Sequence, residues 1–177
     1  MNQNNSHIFS ILNKINWNFH LIFTYPFSNQ RKNTNEAIKL RLNKFFGFFG
    51  RLSRCFKIRG DRQIFAFSDE VSPSEQGHIH ALYKIPEKYQ GNDQQFISKA
   101  KEVWPAALGI SPSAARATNG LVITPINSES YQSKVNYVAN IIAKTYSFDF
   151  LSPEASRIIK RCNSFHDSEH RWNIPWR

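Results

Sequence analysis

The order of secondary-structure elements predicted along the 177-residue chain indicates an α+β fold. It reads β-α-β-β-α-β-α, a split βαβ pattern of the RRM or ferredoxin-like kind, with helices packed against one face of an antiparallel sheet. Runs of β-branched and aromatic residues alternate with amphipathic segments of helical period. Hydrophobic residues make up 41% and aromatic residues 14%, which predicts an aromatic-rich core. We expect one domain over residues 17–150, an N-terminal tail at 1–16 and a C-terminal tail or peripheral helix at 151–177.

Four segments have the composition of strands. WNFHLIFTYPF, residues 17–27, is dense in aromatic and aliphatic side chains and is ended by Pro26. RQIFAFSDE (62–70) and HIHALYKI (78–85) flank a loop with turn residues, so they are expected to form a hairpin. GLVITPI (120–126) is a short apolar run and predicts the fourth strand.

Three segments have helical periodicity. NTNEAIKLRLNKFFGFFGRL (33–52) is basic and amphipathic. NDQQFISKAKEVWPAALG (92–109) predicts a second helix that is broken near Pro105. SESYQSKVNYVANIIAKTY (128–146) predicts a third. The apolar positions that define the first of these helices are Ile38, Leu42, Phe45, Phe46 and Phe49.

The chain is strongly basic, and the excess is concentrated. The formal net charge is +10, and residues 31–62 hold ten Lys or Arg against two acids. Such a segment indicates a polyanionic partner, with nucleic acid the first candidate and an anionic membrane surface the second. A helix whose basic face is merely solvated is the alternative. The candidate DNA-binding residues are Lys39, Lys44, Arg51, Arg54 and Lys134.

Cysteine usage and hydropathy bear on the compartment. Cys55 and Cys162 are too few for a disulfide scaffold, which fits free thiols in a reducing cytoplasm. No window approaches the roughly eighteen apolar residues of a membrane span, and the N-terminus lacks the features of an export signal. A cytoplasmic protein without a membrane partner is therefore expected.

The stretch GHIHALYKI places two histidines one residue apart in a predicted strand. Residues two apart project to the same face of a strand, so His78 and His80 present a pair of imidazoles. Mg²⁺ or Mn²⁺ also requires oxygen ligands, and Glu70 at the end of the preceding strand lies across the predicted hairpin. Glu75 and Gln76, in the loop, are weaker candidates.

Other histidines compete as ligands, because an H-x-H pair alone is as often two ordinary histidines as a metal site. His20 lies on the first strand and His7 near the start of the chain. His166 and His170 have helical spacing but lack the adjacent Glu of a zinc-protease motif, so an exposed helix face is the favoured interpretation. A zinc hydrolase that uses these tail histidines stays as an alternative enzyme.

The third predicted helix carries a tyrosine away from its apolar stripe. Tyr137 lies on the polar side, with Lys134 and Lys144, where a phenol can act as a covalent nucleophile. Because the free pKa of Tyr is near 10, only about one phenol in a thousand is ionised at pH 7, so a metal would have to assist it. A surface tyrosine on an amphipathic helix is the simpler alternative. The stripe itself comprises Val135, Val138, Ala139 and Ile142.

Three stretches in this order resemble the motifs of HUH endonucleases, the family of rolling-circle replication initiators, relaxases and single-strand transposases. FHLIFTYP resembles the hydrophobic first motif, GHIHALYKI the His-hydrophobic-His second motif and YVANIIAK the tyrosine-bearing third motif. The resemblance spans Trp17 to Lys144. Among the subfamilies, the initiators of filamentous phages and related plasmid or prophage elements are the most similar.

The resemblance implies roles for individual residues. His78 and His80 would bind a divalent metal, Mg²⁺ or Mn²⁺, and Tyr137 would cleave single-stranded DNA and become joined to its 5′-phosphate. Glu70 falls where several members keep an acidic third ligand. Lys144 falls where two-tyrosine members carry a lysine, and is expected to assist catalysis.

Two departures from the family pattern qualify these roles. Ile141 stands in place of the second tyrosine of some members, which implies a single nucleophile. Asn140 stands where many members have lysine, which leaves open which residue assists the tyrosine. No G-x-x-x-x-G-K-[ST] sequence occurs, so a helicase would come from the host.

The resemblance therefore predicts a tyrosine endonuclease that nicks and rejoins single-stranded DNA, or an origin hairpin, to start rolling-circle replication. A transposase or relaxase would use the same chemistry. A non-catalytic domain that binds single-stranded RNA or DNA on an RRM-like sheet is the alternative from a different class.

Overall fold

The structure, a computed structural model, describes residues 3–26, 34–70, 77–117, 120–145 and 150–162. Its helices and strands, numbered in chain order, are α1 (Gln3–Leu12), β1 (Phe19–Phe23), α2 (Asn35–Cys55), β2 (Ile64–Glu70), β3 (His78–Lys84), α3 (Asp93–Leu108), α4 (Pro112–Ala117), β4 (Leu121–Pro125), α5 (Tyr131–Thr145) and α6 (Pro153–Cys162). Short 3₁₀ turns at Gly60–Arg62 and Glu87–Tyr89 lie before β2 and after β3.

The four strands form one antiparallel sheet in the order β2-β3-β1-β4. This confirms the predicted α+β fold with a split βαβ sheet. Glu70 pairs with His78 across the β2–β3 hairpin, and Ile22 of β1 pairs with His80. Since side chains alternate along each strand, these pairings decide which residues share a face.

One face of the sheet, called here the aromatic face, packs against α2 and α3. Phe19, Leu21 and Phe23 of β1 lie on it, and Phe23 makes edge-on ring contacts with Phe45 of α2 and Trp104 of α3. α2 begins after Thr34, whose hydroxyl accepts a hydrogen bond from the Ala37 amide at 3.3 Å.

The second face, called here the imidazole face, is also covered by helices over part of its area. α1, α5 and α6 bury a separate apolar cluster there, against Ala66 of β2 and Leu82 of β3. The expectation of helices on one face is therefore wrong. β2 and β3 carry apolar side chains on both faces, and helices bury those side chains on each face. The other members of the cluster are Leu12, Ile15, Trp17, Val135, Val138, Ala139, Ile142, Phe150, Ala155 and Ile159.

The predicted N-terminal tail belongs to this second layer. Leu12 and Ile15 are fully buried, and the Trp17 indole donates a hydrogen bond to the Leu12 carbonyl at 2.8 Å. The boundary expected at residue 17 is thus corrected, because Leu12 and Ile15 before it are part of the core. Burial of apolar side chains by α5 is what orders the segment.

The outer edge of β2 is closed by residues that follow α5. The Phe67 amide donates to Phe150 O and the Ser152 amide to Phe65 O, both at 2.8 Å. Ser152 then caps α6, since its hydroxyl accepts from the Ala155 amide at 3.3 Å. The C-terminal segment therefore includes a helix docked against the sheet, and β4 forms the opposite edge.

Pro105 does not end the second predicted helix. α3 runs on to Leu108, and the chain leaves it at Gly109, in the left-handed region with φ 75°. Trp104 and Leu108, both buried on the aromatic face, hold this last turn in place. Across the described ranges, no helix has the length and apolar character that crossing a membrane would require.

Candidate active site

Three side chains that the sequence singles out as metal ligands meet at one end of the imidazole face. Glu70 ends β2, and His78 and His80 begin β3, with ligand atoms of all three within 4.8 Å of one another. Glu70 Oε2 lies 3.1 Å from His78 Nε2 and 2.9 Å from His80 Nε2. The hairpin register creates the site, because it sets Glu70 directly opposite His78.

The spacing of these atoms fits a divalent cation. Two ligands at right angles, each ~2.1 Å from an octahedral ion, lie about 3.0 Å apart, close to the separations from Glu70. His80 Nε2 is buried and finds no hydrogen-bond partner among the described residues, although the carboxylate oxygen is 2.9 Å away. The three groups are therefore close enough for one cation to lie between them.

His20 lies behind the ligand cluster rather than in it. Its Nε2 is 3.1 Å from His80 Nδ1, the ring nitrogen that faces away from Glu70, and the two rings are nearly parallel, at 13°. The N–H of an imidazole lies in its ring plane, so hydrogen-bonded parallel rings sit edge to edge. His20 therefore contacts a ligand instead of competing as one.

Both buried imidazoles are held neutral. Burial, followed by the charge of Lys134, lowers the pKa of His20 to about 4. Burial also lowers the pKa of His80 to about 3, with further lowering by His20, His78 and Lys134. Neutral imidazole is the form that can bind a metal.

Tyr137 lies beside this cluster. Its ring meets His80 at 5.2 Å between centroids and His20 at 5.9 Å, edge-on in both cases. The residue is 45% exposed. α5 packs through its predicted stripe of Val135, Val138, Ala139 and Ile142, all buried, and this leaves Tyr137 at the rim of the covered area.

The two lysines of α5 differ in their relation to the site. Lys134 lies about one turn before Tyr137, and its charge lowers the pKa of both His20 and His80. Lys144 is exposed and lies two turns after Tyr137, about 10.5 Å along the helix axis. The role of Lys144 stays a prediction, whereas Lys134 acts on the site electrostatically.

The positions that distinguish this chain from the family pattern are both on α5. Ile141 is buried, at 4% exposure, so the place of a second tyrosine is occupied by a core residue. Asn140 is partly exposed. The structure thus has one phenol, Tyr137, in ring contact with the histidines among the described residues.

The basic helix lies on the other side of the sheet. α2 packs on the aromatic face, so the sheet itself separates its basic side chains from the ligand cluster. Lys39, Arg51 and Arg54 are exposed and Lys44 is partly buried. These four residues stay predicted phosphate contacts, and the sheet lies between their helix and Tyr137.

Among the described residues, no other candidate ligand joins the cluster. His7 is exposed on α1. Glu75, Gln76, His166 and His170 lie outside the described residues.

Sequence reasoning missed a buried ion pair next to the site. Arg41, counted among the basic residues of α2, has a fully buried side chain that donates to both carboxylate oxygens of Asp69, at 2.8 and 2.6 Å. Burial raises the pKa of Asp69 and Arg41 opposes that shift. Strand alternation was the signal that could have indicated this pair, because it places Asp69 on the same face of β2 as Phe65 and Phe67.

Comparison with known proteins gives no relative. No protein-family model matches the chain, and neither the curated proteins nor the solved structures include a significant match.

Proposed function

We propose that the protein is a metal-dependent tyrosine endonuclease that nicks and rejoins single-stranded DNA to initiate rolling-circle replication. The observation that carries the proposal is the contact between Tyr137 and His80, 5.2 Å between ring centroids, beside a Glu-His-His cluster. A nucleophile and a cation site must share one phosphate, and the ring contact keeps Tyr137 beside His80.

The proposed reaction is a transesterification at phosphorus. The phenolic oxygen of Tyr137 attacks the scissile phosphate and loses its proton, a tyrosyl–phosphate bond forms, and the bond to the 3′-oxygen breaks. The leaving 3′-oxygen takes up a proton and becomes a free hydroxyl. Attack by a 3′-hydroxyl on the phosphotyrosine reverses these steps, so the phosphodiester is rejoined without ATP.

Glu70, His78 and His80 would hold the cation. A bound Mg²⁺ or Mn²⁺ would polarise the phosphate and offset the charge that develops on it. The side chains of His78 and Glu70 are 19% and 23% exposed, so the cluster is open to solvent on the side from which a DNA strand would approach. His80, at 2%, forms the closed side.

The part of the imidazole face next to the cluster suits an unpaired DNA strand. Val122 of β4 is 43% exposed on the imidazole face, next to the partly buried Ile22. These two side chains offer an apolar surface on which a base can rest. Such a function would place the protein in the cytoplasm with a replicating plasmid or phage and a host helicase.

The test is formation of a covalent adduct with Mn²⁺. A pool of single-stranded oligonucleotides with randomised centres is labelled at either end, incubated with the protein and separated under denaturing conditions. Attachment to the 5′-phosphate predicts that the 3′-labelled fragment migrates with the protein, while the 5′-labelled fragment is released. Tyr137→Phe, which keeps the ring contacts, should abolish the adduct. An equal adduct yield from Tyr137→Phe would refute the mechanism.

The same assay distinguishes the alternative from a different class. A non-catalytic binding domain would retain single-stranded DNA in the presence of a chelator and after loss of His78, and would yield no adduct. Transposases and relaxases share the chemistry, so an adduct supports all three members of this group.

A further inference from the structure

His20 is a buried polar residue whose hydrogen bond points at a candidate metal ligand. It is 3% exposed, lies on β1, and meets His80 of β3 diagonally, since its direct partner in the register is Leu82. Its Nδ1 is buried and finds no hydrogen-bond partner among the described residues. The contact with His80 Nδ1 is thus the polar interaction that accounts for a histidine at this position.

We propose that His20 is a positioning residue, which accepts the proton of His80 Nδ1 and so fixes His80 in the tautomer whose Nε2 is free to bind a divalent cation. The inference rests on the metal site of the proposed function.

The proton positions follow from the contact between the two rings and from the fact that a coordinating nitrogen carries no proton. If His80 Nε2 coordinates a cation, its proton is on Nδ1, so His20 Nε2 must accept and the proton of His20 is on Nδ1. In the opposite arrangement, His20 Nε2 donates to His80 Nδ1, and His80 carries its own proton on Nε2, the atom that faces Glu70. That proton blocks coordination of a cation by Nε2. His20 Nδ1 has no partner among the described residues in either arrangement, so coordination at His80 Nε2 is what selects the tautomer.

His20 also restrains the nucleophile. The Tyr137 ring packs edge-on against both His20 and His80, so these two rings form one wall of its site. A hydrogen bond that fixes the orientation of His80 therefore fixes the surface against which the phenol rests. One residue of β1 sets both the direction of a ligand and the position of the tyrosine.

A packing role is the alternative to exclude. If His20 merely fills space under α5, leucine should replace it without loss of metal affinity. If it orients His80, leucine should weaken metal binding. Glutamine should restore it, because its side-chain amide reaches about as far as the Nε2 of histidine. Loss of a residue that hydrogen-bonds the far nitrogen of a metal-binding histidine typically weakens metal affinity by about 10- to 100-fold.

The experiment measures Mn²⁺ affinity by calorimetry on the full chain. His20→Leu should weaken binding by about 10- to 100-fold, and His20→Gln should recover most of that loss. Leu82→Met is the matched control, because Leu82 lies directly opposite His20 in the register and the change keeps its volume without any change in hydrogen bonding. It should bind Mn²⁺ like the wild type. Wild-type affinity in a folded His20→Leu would overturn the inference.

A second measurement needs no variant. Long-range ¹H–¹⁵N NMR spectra of the wild-type protein loaded with Zn²⁺ should show the His80 proton on Nδ1 and the metal on Nε2. Coordination through Nδ1 would overturn the inference, and a wild-type protein that binds neither Mn²⁺ nor Zn²⁺ would overturn the metal site with it. Both readouts are independent of the Tyr137 adduct, so failure of the nuclease proposal is distinguishable from failure of the His20 role.

Discussion

Asp69 and Glu70, consecutive residues at the end of β2, direct their carboxylates to opposite faces of the sheet. Asp69 accepts two hydrogen bonds from Arg41 of α2 on the aromatic face, while Glu70 lies between His78 and His80 on the imidazole face. The ion pair therefore holds the strand end that carries a candidate metal ligand. The two faces are coupled through the backbone between these residues.

Breaking the ion pair should destabilise the protein strongly. Arg41→Met leaves the Asp69 carboxylate buried without its partner, and such losses cost about 3–5 kcal/mol. Replacing both, as Arg41→Met with Asp69→Leu, should recover most of that stability, because a matched apolar pair carries no desolvated charge. Urea unfolding measures both variants. A loss of less than ~1 kcal/mol in Arg41→Met would show that the pair behaves like a surface salt bridge.

Gly77 should not tolerate a side chain while Arg41 is in place. A Cβ at Gly77 would lie 2.6 Å from both Cζ and Nη1 of Arg41, far inside contact distance. The guanidinium is buried and fixed by two bonds to Asp69, so it cannot move away freely. Gly77→Ala should cost about 1–3 kcal/mol in urea unfolding.

A double-mutant cycle identifies the cause of that cost. In the Arg41→Met background the clash is with a flexible side chain, so the penalty of Gly77→Ala should shrink. An unchanged penalty would assign it to the backbone at Gly77 rather than to Arg41.

The ligand cluster and the tyrosine were predictable from the sequence because each depends on a local period. Alternation in β3 places His78 and His80 on one face, the hairpin sets Glu70 opposite them, and the apolar stripe of α5 excludes Tyr137. The strand order of a split βαβ sheet then brings α5 to that face.

The contacts that sequence reasoning missed join residues far apart in the chain. Arg41 and Asp69 are 28 positions apart, and His20 and His80 are 60 apart. Whether they meet depends on how α2 crosses the sheet and on which strands are neighbours, which no local pattern encodes. The burial of Ile15 under α5 is of the same kind, since the segment has no strong period of its own.

The metal-free protein should lose stability as the pH falls below about 6.5. Unfolded His20 and His80 would take up protons near 6.5, whereas in the folded protein their pKa values are lowered to about 4 and about 3. The unfolded state therefore binds more protons across this window, and stability falls by about 1.4 kcal/mol per group per pH unit. Above 6.5 the two residues contribute no pH dependence.

Urea unfolding at a series of pH values measures this effect. His20→Gln should reduce the slope between pH 6 and 4 by about one proton, because one of the two groups has been removed. A wild-type slope in His20→Gln would mean that His20 does not stay neutral in the folded protein.

Lys134 and Lys144 should have unequal effects, and Lys134 should act on two measurements in opposite directions. Its charge disfavours positive charge at His20 and His80, so it must also disfavour a cation held by His80. Lys134→Met should therefore tighten Mn²⁺ binding by a few fold. The same charge attracts the phosphate at Tyr137, so its loss should slow adduct formation about tenfold, or ~1.4 kcal/mol in the barrier.

Lys144→Met, the matched control on the same helix, should change neither measurement by more than about twofold, because two turns separate Lys144 from Tyr137. If Lys144→Met instead slows the adduct and Lys134→Met does not, the lysine implied by the family resemblance assists the tyrosine, and the field of Lys134 acts on the histidines alone.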